Sequence, residues 1–221
     1  MKTIKWILKT TSFLLLISLV MISCKKKKTA PTLTLNGATQ ITLCLGETYT
    51  EAGASALDAY GDNVDVVISG DVNTSLVGTY TIEYTATDKN NNETSALTTV
   101  TVGMCTSSLV GSYDVVHDCS ALSQDLINSE QSITVVNEDQ IKIENFNTVV
   151  SEVTATVDGN QITIPEESFS FSGVGNASIS GTGTIDDTGS PIEITYTYSI
   201  TDAFIGIELA AGSCTATYTK Q

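Results

Sequence analysis

"GTYTIEYTATD", residues 78–88, decides the fold. Tyr80, Ile82, Tyr84 and Ala86 occupy every second position, and Thr79, Thr81, Glu83, Thr85 and Thr87 fill the places between. Successive side chains of a strand point to opposite faces. This segment therefore has one apolar and one wet face, the mark of an antiparallel sheet with a single buried side. The pattern returns in "IEITYTYSI" (192–200), where Ile192, Ile194, Tyr196, Tyr198 and Ile200 share a face, and in "CTATYTK" (214–220) with Cys214, Ala216 and Tyr218. No stretch after residue 30 holds a helical period. The expected class is all-β.

Short strands between Gly, Asn and Asp clusters, repeated to residue 102, predict a sandwich. From Leu109 onward the strands lengthen. Eight are expected, near 110–117, 131–136, 140–146, 149–157, 161–165, 176–186, 191–201 and 213–220. "VDGNQ" predicts a hairpin turn at Asp158-Gly159. Gly173, Gly175, Gly181 and Gly183 recur as where a strand bends or a barrel turns a corner. Eight antiparallel strands close most simply on themselves, which removes their edges.

Residues 31–104 resemble a bacterial immunoglobulin-like domain of the type first named from a pesticidal crystal protein. The resemblance rests on Pro31 with "LTLNG", "LGETYTEAGASALDAYGD" and "VGTYTIEYTATDKNNNETSALTTVTV". Asn90-Asn91-Asn92 stand where that family usually has Gly-Asn, and asparagine tolerates the left-handed turn. The likeness implies a spacer or adhesion unit without catalytic residues. Residues 105–221 resemble the lipocalin-like barrels of small bacterial lipoproteins, through "GSYDVVHDC", "VTATVDGNQITIP", "SISGTGTI" and "CTATYTK". That likeness implies an up-and-down barrel, whose interior is either a cavity for one small ligand or filled by side chains.

The start of the chain reads differently. "MKTIKWILK" carries three lysines and no acid, and Thr10 to Ile22 are thirteen mostly apolar residues. A bilayer-spanning helix needs about 20. A basic segment, a short apolar run and a small residue make a secretory signal. Met21-Ile22-Ser23-Cys24 resembles a bacterial lipobox, which implies removal of residues 1–23 and diacylation of Cys24. An uncleaved anchor, or a plain signal with a coincidental cysteine, are the alternatives. Two acyl chains hold a protein to a bilayer where one does not. Lys25–Lys28, in the linker 24–30, would lie at the headgroups and add about 1 kcal/mol each against anionic lipid. The expected partner at this end is a membrane, that of the outer membrane of a diderm bacterium.

All 25 acidic residues lie beyond Lys28, where the only basic residues are Lys89, Lys142 and Lys220, giving a net charge of −22 there. Arginine is absent. Such a body is repelled by phosphate backbones, which excludes nucleic acid as a partner. Setting Cys24 aside leaves Cys44, Cys105, Cys119 and Cys214, an even set that suits disulfides in an oxidising compartment. Zinc is the rival, but no C-x-x-C spacing occurs and His117 is the one histidine. Of the three pairings, the domain boundaries favour Cys44–Cys105, tying the ends of the first module. They also favour Cys119–Cys214, joining the first and last barrel strands.

Chemistry is sparse. His117 is expected at the surface or rim, and Asp118 beside it points to the other face. Glu166-Glu167 and Asp186-Asp187 are adjacent acids at turns, unlike carboxylates facing each other across a glycosidase cleft. No nucleophile elbow or zinc-protease helix motif occurs. Asp58, Asp62 and Asp65 are calcium candidates set against a plain hydrated turn, because the regular D-x-D-x-D-G loop is missing. In "DAFIGIELAAGSC", Phe204, Ile205, Ile207 and Leu209 are apolar for a connection. They either extend strands and plug the barrel or form a ligand or partner contact. The mature chain has no tryptophan for a sugar platform. No cofactor and no catalytic residue is expected. The function read from this is a membrane-anchored, non-catalytic binding, structural or adhesion module. Its partner would be a protein, glycan or small molecule. A small-ligand carrier comes second and an enzyme third.

Overall fold

The computed structural model describes residues 29–119, 129–146, 150–171, 175–202 and 208–221. Seven strands come first: β1 (Thr32–Leu35), β2 (Gln40–Cys44), β3 (Ala54–Leu57), β4 (Asn63–Val64), β5 (Val66–Ser69), β6 (Gly78–Thr87) and β7 (Glu93–Gly103). A short 3-10 turn at Thr106–Leu109 follows. Eight more strands complete the chain: β8 (Gly111–Cys119), β9 (Glu130–Asn137), β10 (Gln140–Glu144), β11 (Glu152–Asp158), β12 (Gln161–Phe171), β13 (Gly175–Ile185), β14 (Ile192–Asp202) and β15 (Glu208–Lys220). Among the described residues no helix is long and apolar enough to cross a membrane.

The chain divides into two compact units, and β6 and β7 run through both. Of the described residues the first holds 29–36, Gly53–Val67 and Tyr84–Ala96. Its sheet runs β1-β3-β4, all antiparallel, with Ala56 of β3 buried. Tyr84 and Ala86 are buried as their alternation predicts. At the tip of the β6–β7 hairpin the Asp88 carboxylate accepts the backbone N–H groups of Asn90 and Asn92, at 2.8 and 2.9 Å. Asn91 takes the left-handed conformation there, with φ of 63°.

The second unit holds Gly37–Ala52, Ile68–Glu83 and Leu97–Gln221. In the sheet ordered β2-β7-β6-β5, β2 runs parallel to β7. No hairpin joins those two strands, so nothing local sets their direction. The parallel register pairs Cys44 with Gly103 and so brings it beside Cys105. The two form a disulfide with a Cα–Cα distance of 5.5 Å.

The remaining eight strands form a closed barrel, β8 to β15 in sequence order, with β15 returning to β8. Every neighbouring pair is antiparallel. The closing pair sets Cys214 opposite Cys119, and the second disulfide links them. The interior follows from the alternation: Tyr113 and Val115 of β8, Ile141 and Ile143 of β10, Ile162 and Ile164 of β12, and Ile192, Ile194 and Tyr196 of β14 are all buried. Gly181 and Gly183 let β13 approach β14 closely. A Cβ on Gly181 would stand 2.7 Å from the Thr195 carbonyl oxygen, and one on Gly183 would strike that of Glu193.

Three expectations need correction. β12 does not end near 165 but continues to Phe171, with a register shift between Ile164 and Glu167. Pro165, which lacks an N–H, sits in that irregularity, where a bulge leaves a residue unpaired and the strand resumes. β15 begins at Glu208 rather than 213, so Leu209 belongs to a strand. The turn of "VDGNQ" is displaced by one residue: Asp158 pairs with Gln161, and Gly159, with φ of 55°, carries the left-handed conformation.

Candidate functional site

Among the described residues, the barrel interior contains a connected group of polar side chains, built on strands whose other inward residues are mostly apolar. His117 belongs to the inward series of β8, between Val115 and Cys119, and Gln131 opens that of β9. They are only 5% and 3% exposed, which corrects the expectation of a surface or rim histidine. The strand simply keeps its alternation one step further: His117 faces in and Asp118 faces out.

The hydrogen bonds fix the arrangement. Gln131 Nε2 donates to the carbonyl oxygen of Phe146 at 2.9 Å, which settles the amide orientation. Gln131 Oε1 then accepts from the Tyr218 hydroxyl at 2.9 Å. The second Nε2 hydrogen points at His117 Nε2, 3.1 Å away, so that nitrogen accepts. Its proton is thereby left on Nδ1, which faces Tyr196 Oη at 3.3 Å. The Phe146 ring packs edge-on against Tyr196 at 5.0 Å. Lower in the barrel Tyr113 donates to the Leu109 carbonyl at 2.6 Å.

Burial governs the phenols. It pushes Tyr113 up to about 12, and Tyr196 likewise to about 12 with a smaller contribution from nearby Tyr198. Tyr218, wholly enclosed, lies well above the ordinary tyrosine value, again through burial first and Tyr196 second. All three are neutral at physiological pH; Tyr113 and Tyr218 donate, and the Tyr196 hydroxyl faces the histidine. The Tyr198 hydroxyl is buried without a hydrogen-bond partner among the described residues. An amide, a neutral imidazole and neutral phenols make a hydrogen-bonding core.

The other predicted residues lie apart from this group. Asp58 accepts the backbone N–H groups of Tyr60 and Asp62 at 2.7 and 3.0 Å. The Tyr60 N–H holds its carboxyl below the usual range, burial opposes this, and the Asp62 N–H and Lys89 add to the lowering. Lys89 Nζ stands 3.9 Å from both Asp58 and Asp62. The loop is thus closed by its own backbone and a lysine. Asp65 joins neither bond, and no cluster of potential metal ligands occurs among the described residues. Cys24, Phe204, Ile205 and Ile207 lie outside the described residues, as does the Leu209 side chain.

Shallow depressions mark the surface of the barrel among the described residues. One, of about 230 Å³, is lined by Ser112, Glu130, Gln131, Ser132, Asn145 and Gln221. The other, of about 210 Å³, lies over β12–β14. Sequence reasoning missed both, because a groove between outward-facing residues depends on strand register. It also missed the interior polar group, for which the only signal was that Gln131 and His117 fall on inward positions of alternating strands.

Residues 33–102 match the family model of the Ig-like domain of bacterial surface proteins. Among solved structures the chain is similar to the lipoprotein BT2262 from Bacteroides thetaiotaomicron, at 19% identity and a TM-score of 0.33, covering 86% of this chain and 100% of that one. It is also similar to the structure of CBM51-2 in complex with GlcNAc and INT domains from Clostridium perfringens ZmpB. There the identity is 13%, the TM-score 0.28, and the coverage 86% of this chain and 44% of that one. No curated protein matches the sequence.

Proposed function

We propose that this protein is a non-catalytic binding module of the bacterial cell envelope, tethered by acyl chains on Cys24 to the outer membrane. The Ig-like region, 31–104, serves as the spacer and the barrel, 105–221, as the part that meets a partner. The observation that carries the reading is the match of residues 33–102 to an Ig-like domain of bacterial surface proteins. The run from the apolar Thr10–Ile22 to Cys24 and four lysines supplies the tether. Side chains from every strand fill the described barrel interior, which supports a packed module over a small-ligand carrier. The kinship to lipocalin-like barrels and to the pesticidal-crystal-protein type of Ig-like domain belongs to the same proposal.

Fractionation of cells tests it. Wild-type protein is expected in the membrane pellet and Cys24→Ala in the soluble fraction. Membrane retention of Cys24→Ala contradicts the lipid tether.

A further inference from the structure

The outer face of the barrel carries an ordered lattice of hydroxyls. Register places Thr156 of β11, Thr163 of β12, Thr182 of β13, Thr195 of β14 and Thr215 of β15 side by side in one row across five strands. One row along, Ser180, Thr197 and Ser213 are in register; on the other side Thr184 and Thr217 flank Glu193. Neighbours across strands stand about 4.8 Å apart, and rows about 6.7 Å apart. Thr163, Thr182, Thr184, Glu193, Thr195, Thr197 and Ser213 are exposed. Some hydroxyls pair with each other, as Thr195 with Thr215 and Ser180 with Thr197, both at 3.2 Å.

The lattice is not uniform. The depression of about 210 Å³ opens within it, lined by Gln161, Thr182, Gly183, Thr184, Glu193 and Thr195. The Gln161 amide and the Glu193 carboxylate have no side-chain hydrogen-bond partner among the described residues, and both are exposed. In the other depression all three amides are already engaged: Asn145 donates to the Glu130 carbonyl, Gln221 to Asp114, and Gln131 to Phe146.

The geometry points to this face as a binding surface for a neutral polysaccharide. The inference rests on the binding-module reading and names its partner class. A hydroxyl donates and accepts at once, and a planar amide and carboxylate can each span two neighbouring hydroxyls of a sugar. Charge selects among glycans. The body beyond Lys28 carries −22, whereas the three rows across β13–β15 contain a single charged residue, Glu193. An uncharged chain meets complementary hydroxyls there, and a polyanionic one meets net repulsion. Without an aromatic platform each contact is weak, so affinity depends on several lattice positions engaging one long chain.

Electrophoresis of the mature chain, carrying Cys24→Ala for solubility, in native gels containing xylan, mixed-linkage β-glucan, α-mannan or polygalacturonate tests this. The expected result is retardation by at least one of the three neutral polymers and none by polygalacturonate. Thr182→Val, Thr195→Val and Thr215→Val together keep strand shape while removing three hydroxyls. They are expected to weaken binding about tenfold or more, with an unchanged melting temperature to show that the barrel persists. Glu193→Gln tests the depression alone, with a partial loss expected. No retardation by any neutral polymer, equal retardation by polygalacturonate, or retardation that survives the triple change in a folded protein overturns the proposal. The fractionation of Cys24→Ala is unaffected by these outcomes, so the tether and the ligand fail separately.

Discussion

Gln131 shows how one side chain organises the barrel interior. Its amide satisfies Tyr218, Phe146 and His117 together. Gln131→Leu fills similar volume but withdraws that partner from all three, and a buried polar group left unpaired costs about 1–3 kcal/mol. Urea unfolding should therefore place Gln131→Leu about 3 kcal/mol or more below wild type, and Tyr218→Phe only about 1 kcal/mol below. Equal small losses for both contradict the connected arrangement. The phenols make a second prediction. In the folded state Tyr113 and Tyr196 ionise near 12, above the ordinary value of 10, so folding favours their neutral form. That stability is fully present below pH 10 and is lost as pH rises towards 12. Phenolate absorbance should therefore appear for these groups together with unfolding in that window. Their ionisation near pH 10 in a still-folded barrel contradicts the burial. In the sequence, the inward series of β8 and β14 was legible because period two alone sets it. The place of His117 was not, since its position at the end of "GSYDVVH" suggested a rim, and only the continuation of β8 to Cys119 carries it inside.

Between strands, register decides what meets. Antiparallel pairing of β15 with β8 sets Cys214 against Cys119, so the disulfide closes the ring at the one seam that joins residues distant in sequence. The bridge spans 95 residues, and a loop of that length predicts a loss of about 2–5 kcal/mol on removal. Cys119→Ala with Cys214→Ala should lower the urea midpoint accordingly while the barrel still folds. An unchanged midpoint assigns closure to strand pairing alone. Element type and order followed from the alternation and turn residues, but two strand ends did not. Pro165 reads as a terminator in sequence, yet an irregularity absorbs it. The direction of β2 was also hidden, because a parallel pairing with residues 59 positions later leaves no local trace. The depression over β12–β14 is of the same kind. Gly183, with no side chain to fill the space, is in its lining, and its neighbours there are set by register.

At the scale of the whole molecule, charge is sharply divided along the chain. Seven of its ten lysines lie in the first 28 residues and every acid lies after them. An anionic membrane surface thus attracts one end and repels the rest, within the short range that salt allows. A −22 body beyond the linker keeps copies apart and leaves its least charged surfaces as the places where contact is cheapest. The proposed location of both β regions depends on the proposed acyl tether. Mass spectrometry of the protein purified from membranes of the cells that make it tests that claim most directly. The account predicts a chain beginning at Cys24 with at least two acyl groups on its N-terminal peptide. A chain that retains residues 1–23 with an unmodified Cys24 contradicts it.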